Sequence, residues 1–243
     1  MKLMLHHRKR RRGAIHYVVV IPFGLLNLSM RARPKTRLSA SSSLPDIPVP
    51  MKKTFICVAS GPSLVASDCA RVSASGLPII AVNSSWRAVP DCQHIYAADF
   101  AWWEHYYHSL GSSAELWTQS RRASTRFGVK LFRPSESGSF NSGQRAIQLA
   151  AHLGAERVIL LGYDCTLANG AHWHGRHPAT MHNPVPREVG RWHSDFSSLA
   201  GALPGVEIIN ASRETALTCF KRLPLEAALY AWKTVLRRDA RHR

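Results

Sequence analysis

The 243-residue sequence lacks most of the signatures that would assign a chemistry outright. It has no CxxC; its five cysteines stand apart at 57, 69, 92, 165 and 219. Their odd number and wide spacing exclude a disulfide scaffold and read as reduced core thiols of a cytosolic protein. There is no GxGxxG, no Walker P-loop, no HExxH and no Asp-x-Asp pair. DNA-binding motifs and internal repeats are also absent. Acids are scarce, 15 Asp and Glu against 32 Lys and Arg, for a net charge of +17. Hydrophobic residues make up 45%, enough for a packed core and too many for wholesale disorder.

The charge is uneven. Residues 1–50 hold ten Lys and Arg against Asp46 alone, about half of the excess. A nucleic-acid argument from the whole-chain charge is weakened accordingly. This segment opens with the basic run Arg8–Arg12 and continues as an apolar stretch from Ile15 to Leu28, interrupted by Pro22 and Gly24. A Ser/Pro-rich linker follows from Ser39 to Pro50. Three readings stay open: an export or membrane-surface segment, a basic tail for nucleic acid or anionic lipid, and a start-site artefact with the protein beginning at Met51. The domain expectation is an extension over 1–50, then one α/β nucleotide-binding domain over 51–243 with a basic tail.

From Met51 onward, short unalternating apolar runs end in small polar residues. Phe55–Ala59, Leu77–Val82, His94–Ala98, Val129–Phe132, Arg157–Leu161 and Val206–Ile209 are predicted as strands, the first two buried on both faces. Leu64–Ser75, Trp102–Tyr107, Ser142–Leu153, Phe196–Ala202 and Leu225–Arg237 are predicted as helices. Strands alternating with helices imply a Rossmann-like, doubly wound, mostly parallel sheet with helices on both faces. A His-rich loop or lid is added to it. Ligands bind such sheets beyond the carboxyl ends of the strands. There stand Ser60-Gly61-Pro62-Ser63, Asn83-Ser84-Ser85, Asp99 and Asp164. Hydroxyls, amides and carboxylates converging on one crevice suit a nucleotide.

Each motif has a plainer alternative. Gly61, Pro62 and Ser63 form either an ordinary turn with Ser63 as helix cap or a phosphate-binding turn. Asn141, Ser142 and Gly143 open a helix and could offer amides to an anion. The preceding Ser/Gly stretch 135–139 and Phe140 read as a mobile loop. Trp102, Trp103, Tyr106 and Tyr107 read as core packing or as a stacking platform. The densest signal is His172-Trp173-His174-Gly175-Arg176-His177, with His182 and His193 nearby. A catalytic histidine, solvated loop histidines and a zinc site compete here; HxH without a paired Cys is a poor metal signature. Arg176 could hold a phosphate. The missing Asp-x-Asp pair means that a glycosyl transferase built on this scaffold would work without a metal at the leaving group.

Taken in order, Gly61-Pro62-Ser63-Leu64, Val82-Asn83, Asp99, Ser142-Gly143, Leu160-Leu161-Gly162-Tyr163-Asp164 and the His-Gly-His loop resemble a known group. They look like the small bacterial sialyltransferases of lipooligosaccharide. They are also similar to 6-hydroxymethylpterin diphosphokinase-like proteins, and most of all to phage and prophage proteins with a GPSL…AVNxSW…NSG…LGYD…HWHGxHP string. The resemblance covers about Met51 to Leu229. It implies a donor nucleotide at Gly61, Pro62, Ser63, Asn83, Asp99, Ser142 and Gly143, with His177 as general base and His174 as fallback. Asp99 stands where the sialyltransferases carry Asn.

The leading expectation is a metal-independent glycosyltransferase-like, phage-associated protein, sialyltransferase-like and cytoplasmic, with basic ends that could touch a membrane surface. It would use a CMP- or UDP-type nucleotide-sugar donor and a hydroxyl acceptor: a glycan, a lipid-linked glycan or modified DNA. The donor set would be the residues above with Ser84, Asn141 and Asp164; the catalytic set would be His177, His174 and Arg176, with no metal ligand. Two alternatives remain: a Mg²⁺-dependent pyrophosphoryl transferase with Asp99 and Asp164 on the metal, and a non-catalytic nucleotide- or nucleic-acid-binding accessory protein.

Overall fold

The computed structural model describes residues 17–21, 24–28, 52–111, 113–134 and 141–230. Residues 135–140, expected as a mobile loop, Met51 and the basic residues 231–243 lie outside them, as does most of the segment before Met51. The chain divides into two units, Met1–Val49 and Pro50–Arg243. In the first, the apolar stretch expected as one run is a hairpin of β1 (Tyr17–Ile21) and β2 (Gly24–Leu28), paired antiparallel with Ile21 opposite Gly24. Gly24, one of the interruptions in the run, is the first residue of β2; Pro22 lies outside the described residues.

The second unit carries one eight-stranded sheet, parallel at every pairing. Its strands are β3 (Thr54–Val58), β4 (Ile79–Val82), β5 (His94–Tyr96), β6 (Glu115–Thr118), β7 (Lys130–Leu131), β8 (Arg157–Leu161), β9 (Glu207–Asn210) and β10 (Lys221–Arg222). The spatial order is β10-β9-β8-β3-β4-β5-β6-β7. The chain starts in the middle at β3, winds outward to β7, then returns to lie beside β3 and winds the other way. The order therefore reverses between β3 and β8, and in an open parallel sheet that reversal opens a crevice at the strands' carboxyl ends.

Helices cover both faces. α1 (Ala66–Ser73), α2 (Phe100–Tyr106) and α3 (Arg121–Phe127) bury Cys69, Val72, Trp102, Trp103, Tyr106 and Ala123 against Ile56, Val58, Ile79, Ile95 and Ile159. On the opposite face α4 (Ser142–His152) and α5 (Pro186–Ala202) bury Ala146, Ile147, Leu149, Phe196 and Leu199 against Phe55, Cys57, Ile80, Tyr96 and Leu160. Successive strand residues alternate between the two cores, which is why both parities had to be apolar and the runs read as unbroken. Residues 225–230 are helical. All five cysteines are free, and burial pushes the Cys57 and Cys92 thiols up to about 12.

Three regular pieces of the sheet unit carry little apolar signal. The strand Glu115–Thr118 lies toward one edge and has only Thr118 buried. Helix α3 buries only Ala123, and is made by its ends: Ser120 accepts from the Ala123 N–H, and Gly128 closes it at φ +70. Helix α5 begins ten residues earlier than its apolar part, at Pro186, a residue that favours a first helical position.

Candidate functional site

A cavity of about 560 Å³ opens at the carboxyl ends of β3, β4, β5 and β8. Its wall includes Ser60 and Gly61 after β3, Asn83 after β4, Asp99 after β5, and Gly162 to Thr166 after β8. The start of α4 (Asn141, Ser142, Gly143) and one side of α5 (Glu188, Arg191, Trp192, Phe196) close it, with His172 and His177 above.

The two central strand ends are pressed together. The Gly61 N–H donates to the Gly162 carbonyl at 2.8 Å. A Cβ on Gly61 would stand 2.6 Å from that oxygen and closer still to the Asp164 carboxylate. A Cβ on Gly162, at φ +67, would collide with the Ala59 carbonyl. Gly61 is thus dictated by Asp164 and not by a ligand alone. Ser63 is not the cap of α1, which is Val65. Its N–H and Oγ both donate to Asp164, at 2.8 and 2.7 Å. Burial raises the Asp164 carboxyl above its ordinary value, although both hydrogen bonds work the other way. With both oxygens engaged by Ser63, Asp164 is poorly disposed to serve a magnesium ion.

Asn83 has φ +50, the left-handed region that side chains avoid, and its Oδ1 is buried without a hydrogen-bond partner. Strain and an unsatisfied acceptor thus coincide on one cavity residue, which makes Asn83 a candidate for ligand contact. Ser84, next to it, instead belongs to the core: it is fully buried and accepts from the Trp102 Nε1–H at 3.4 Å.

Helix α4 starts with a capping box. Asn141 Oδ1 accepts from the Gln144 N–H at 3.0 Å, and Gln144 Oε1 accepts from the Asn141 N–H at 2.8 Å. The Ser142 and Gly143 N–H groups have no acceptor within the helix, and both residues line the cavity. Ser142 Oγ accepts from the Ala98 N–H at 3.1 Å, and Tyr163 donates to the Gly143 carbonyl at 3.0 Å. The helix start is thereby fastened to the ends of β5 and β8, with its positive pole toward the crevice.

The His loop is tied down at several points. The Trp173 N–H donates to the Ser60 carbonyl at 2.9 Å, and Ser60 Oγ lies 2.7 Å from His172 Nδ1. Gly175, at φ +84, turns the chain, and the His177 N–H donates to Asn183 Oδ1 at 2.7 Å. Asn183 Nδ2 donates back to the His177 carbonyl at 3.0 Å. Three imidazoles meet: His172 and His177 centroids lie 4.5 Å apart, His172 and His174 5.1 Å, His174 and His177 5.2 Å. Burial and the neighbouring cationic forms pull His172 and His174 down to about 4. Burial also lowers His177, against the pull of the Asp99 carboxylate.

The structure thus brings Gly61, Asn83, Asp99, Asn141, Ser142, Gly143, Asp164 and His177 to one cavity. Pro62, Ser63, Ser84, His174 and Arg176 are not on its wall. Arg176 is exposed, whereas Arg191 of α5 reaches the cavity. Sequence reasoning missed Gln119, Arg191, Trp192 and Asn183. Gln119 follows β6 and Arg191 and Trp192 lie in α5, elements with a weak apolar pattern, while Asn183 lies in the loop before α5; only the Pro186 and Glu188 helix-start signal could have pointed to Arg191 and Trp192. His182 pairs with Glu188 at 2.9 Å, and His193 Nε2 lies 3.0 Å from the Cys165 carbonyl. Among the described residues no helix is long and apolar enough to cross a membrane.

No known protein family matches the chain, and no curated protein does. Its structure is similar to that of the MAf glycosyltransferase from Magnetospirillum magneticum AMB-1, with a TM-score of 0.54 and 14% sequence identity. The match covers 77% of this chain and 37% of that one, so the chain spans little more than a third of that protein. At that identity the likeness is one of fold.

Proposed function

We propose that the protein is a glycosyltransferase that moves a sugar from a CMP- or UDP-type nucleotide-sugar to a hydroxyl acceptor. The observation that carries this reading is the convergence, in one cavity, of four strand ends, the open N-terminus of α4 and the His loop. The donor phosphates would lie on the Ser142 and Gly143 amides, with Arg191 beside them, so that the leaving nucleotide needs no metal. Asn83 Oδ1 would accept from a donor group of the nucleotide. His177 would take the proton of the acceptor hydroxyl as its oxygen bonds to the sugar carbon and the sugar–phosphate bond breaks. A lowered pKa keeps His177 unprotonated near neutrality, and the charge of Asp99 favours the imidazolium that forms. The acceptor would be a glycan, a lipid-linked glycan or the hydroxyl of a modified base. The likeness to a glycosyltransferase fold supports the scaffold and leaves the sugar unassigned.

The test is nucleotide release from CMP- and UDP-sugars by the full chain, with and without hydroxyl acceptors. His177→Ala should lower the rate by about 10²–10⁴-fold. An unchanged rate would remove His177 from the role of base. No release by the native chain from any of these donors would contradict the transferase reading itself.

A further inference from the structure

His172, His174 and His177 each offer one ring nitrogen, and the three atoms all lie within 4.8 Å of one another. His172 Nε2, His174 Nε2 and His177 Nδ1 are buried and have no hydrogen-bond partner. Three orphaned acceptors or donors in one place are costly, since each gives up water and gets nothing back. One ligand would satisfy all three at once. We propose that His172, His174 and His177 form a binding site for a divalent transition metal of the zinc type, with a coordination position open to the crevice.

The donor set decides the class of ion. Three imidazoles suit Zn²⁺, Cu²⁺, Ni²⁺ or Co²⁺ and are wrong for Mg²⁺ or Ca²⁺, which want oxygen. Three protein ligands leave a fourth position, and because His172 and His177 line the cavity, that position faces the ligand space. The surroundings serve the same end. If Ser60 Oγ accepts from His172 Nδ1–H, the Nε2 lone pair is left for the metal, an outer contact of the kind that orients metal-bound histidines. The Asn183 bonds fix the His177 backbone on both sides. The Asp99 carboxylate, which acts on His177, would offset part of the ion's charge. At metal–nitrogen distances of about 2.0–2.1 Å, tetrahedral ligands stand roughly 3.3 Å apart. Binding would therefore draw the rings together by up to ~1.5 Å and tighten the loop.

This site goes beyond the transferase reading and does not depend on it. The two make opposite demands on His177, because a nitrogen lone pair given to a metal is not available to a proton. In the loaded protein an acceptor hydroxyl would meet the ion instead of a free imidazole.

The full chain, dialysed against a chelator, should be titrated with Zn²⁺ by calorimetry and with Co²⁺ by visible absorption. One ion per chain is expected. The cobalt form should have intense d–d bands of low coordination number and no thiolate charge-transfer band, since the nearby cysteines are not ligands. Zn²⁺ should raise the thermal unfolding midpoint. His172→Ala, His174→Ala and His177→Ala should each weaken binding by at least ~10-fold, Ser60→Ala by about 10-fold, and the exposed His108→Ala not at all. No stoichiometric binding by the native chain, a thiolate band, or affinity unchanged in all three cluster variants would overturn the proposal. If the cluster variants fail to unfold cooperatively, the cobalt spectrum of the native chain decides. Metal bound without nucleotide release leaves the site standing and the transferase reading in default, and the reverse result does the opposite.

Discussion

Asn83 and Cys165 are the two non-glycine residues with left-handed backbone among those described, both at φ +50 and both on the cavity wall. Such a conformation costs energy and persists where the surroundings impose it. For Asn83 the imposed geometry places a buried, partnerless Oδ1 at the end of β4. Strain and ligand contact can be separated. Asn83→Gly removes the side chain and keeps the backbone comfortable, so unfolding free energy should stay within about 1 kcal/mol of the native chain. Nucleotide binding should weaken roughly tenfold, the worth of one hydrogen bond of about 1.4 kcal/mol. Calorimetric titration and denaturant unfolding on the same sample check both. Unchanged affinity would make Asn83 a turn residue only. Gly61 carries the opposite lesson: its smallness leaves room for Asp164, and Ser63 of the same motif ties the turn after β3 to Asp164 after β8.

At the scale of elements, the His loop gathers three half-buried imidazoles in one place. His172 and His174 sit at about 4 in the folded protein against an ordinary value of 6.5. The unfolded chain therefore binds more protons between those values, and stability falls as the pH drops from about 6.5 toward 4. His177 acts on both rings and Arg87 on His174, while Arg87 and Asp99 act on His177. The glutamates held below their ordinary 4.5 by Lys and Arg partners, Glu115 and Glu207, act at lower pH. In metal-free protein the denaturation midpoint should decline across the upper window, and the double variant His172→Gln, His174→Gln should flatten that decline. An identical pH profile in the double variant would contradict the burial of neutral rings.

Legibility followed the same physics. β8, at Arg157–Leu161, could be read to the residue because it is buried on both faces and a continuous apolar run has few other uses. Glu115–Thr118 and α3 could not, because they lie toward the sheet's edge with one buried residue apiece. Strand-end residues such as Asn83 and Asp99 were legible once the strands were. The meeting of His172 with Ser60, 112 positions away, was not, since it rests on how a loop folds back and no local pattern encodes that. The expectation of no metal ligand rested on an HxH without a paired Cys or an HExxH motif, and no such local pattern shows that His177 comes back to His172 and His174.

On the scale of the whole molecule, a sheet entered at its centre and wound both ways has one place where strand order reverses, between β3 and β8. Asp164 and Ser63 clamp that place, and α4 and the His loop are fastened around it. About half of the net charge of +17 belongs to residues 1–50, so charge alone does not discriminate among ligands of the crevice. Discrimination has to come from the wall. The most direct test is a thermal-shift panel on the full chain with CMP, UDP, GDP, ATP, and CMP- and UDP-sugars, each with and without Mg²⁺. Binding to the folded state raises the unfolding midpoint as ligand exceeds its dissociation constant. A donor site made of helix amides, Asn83 and Arg191 predicts a rise with CMP or UDP compounds that does not depend on magnesium. A rise confined to ATP with Mg²⁺, or none with any nucleotide, would contradict it.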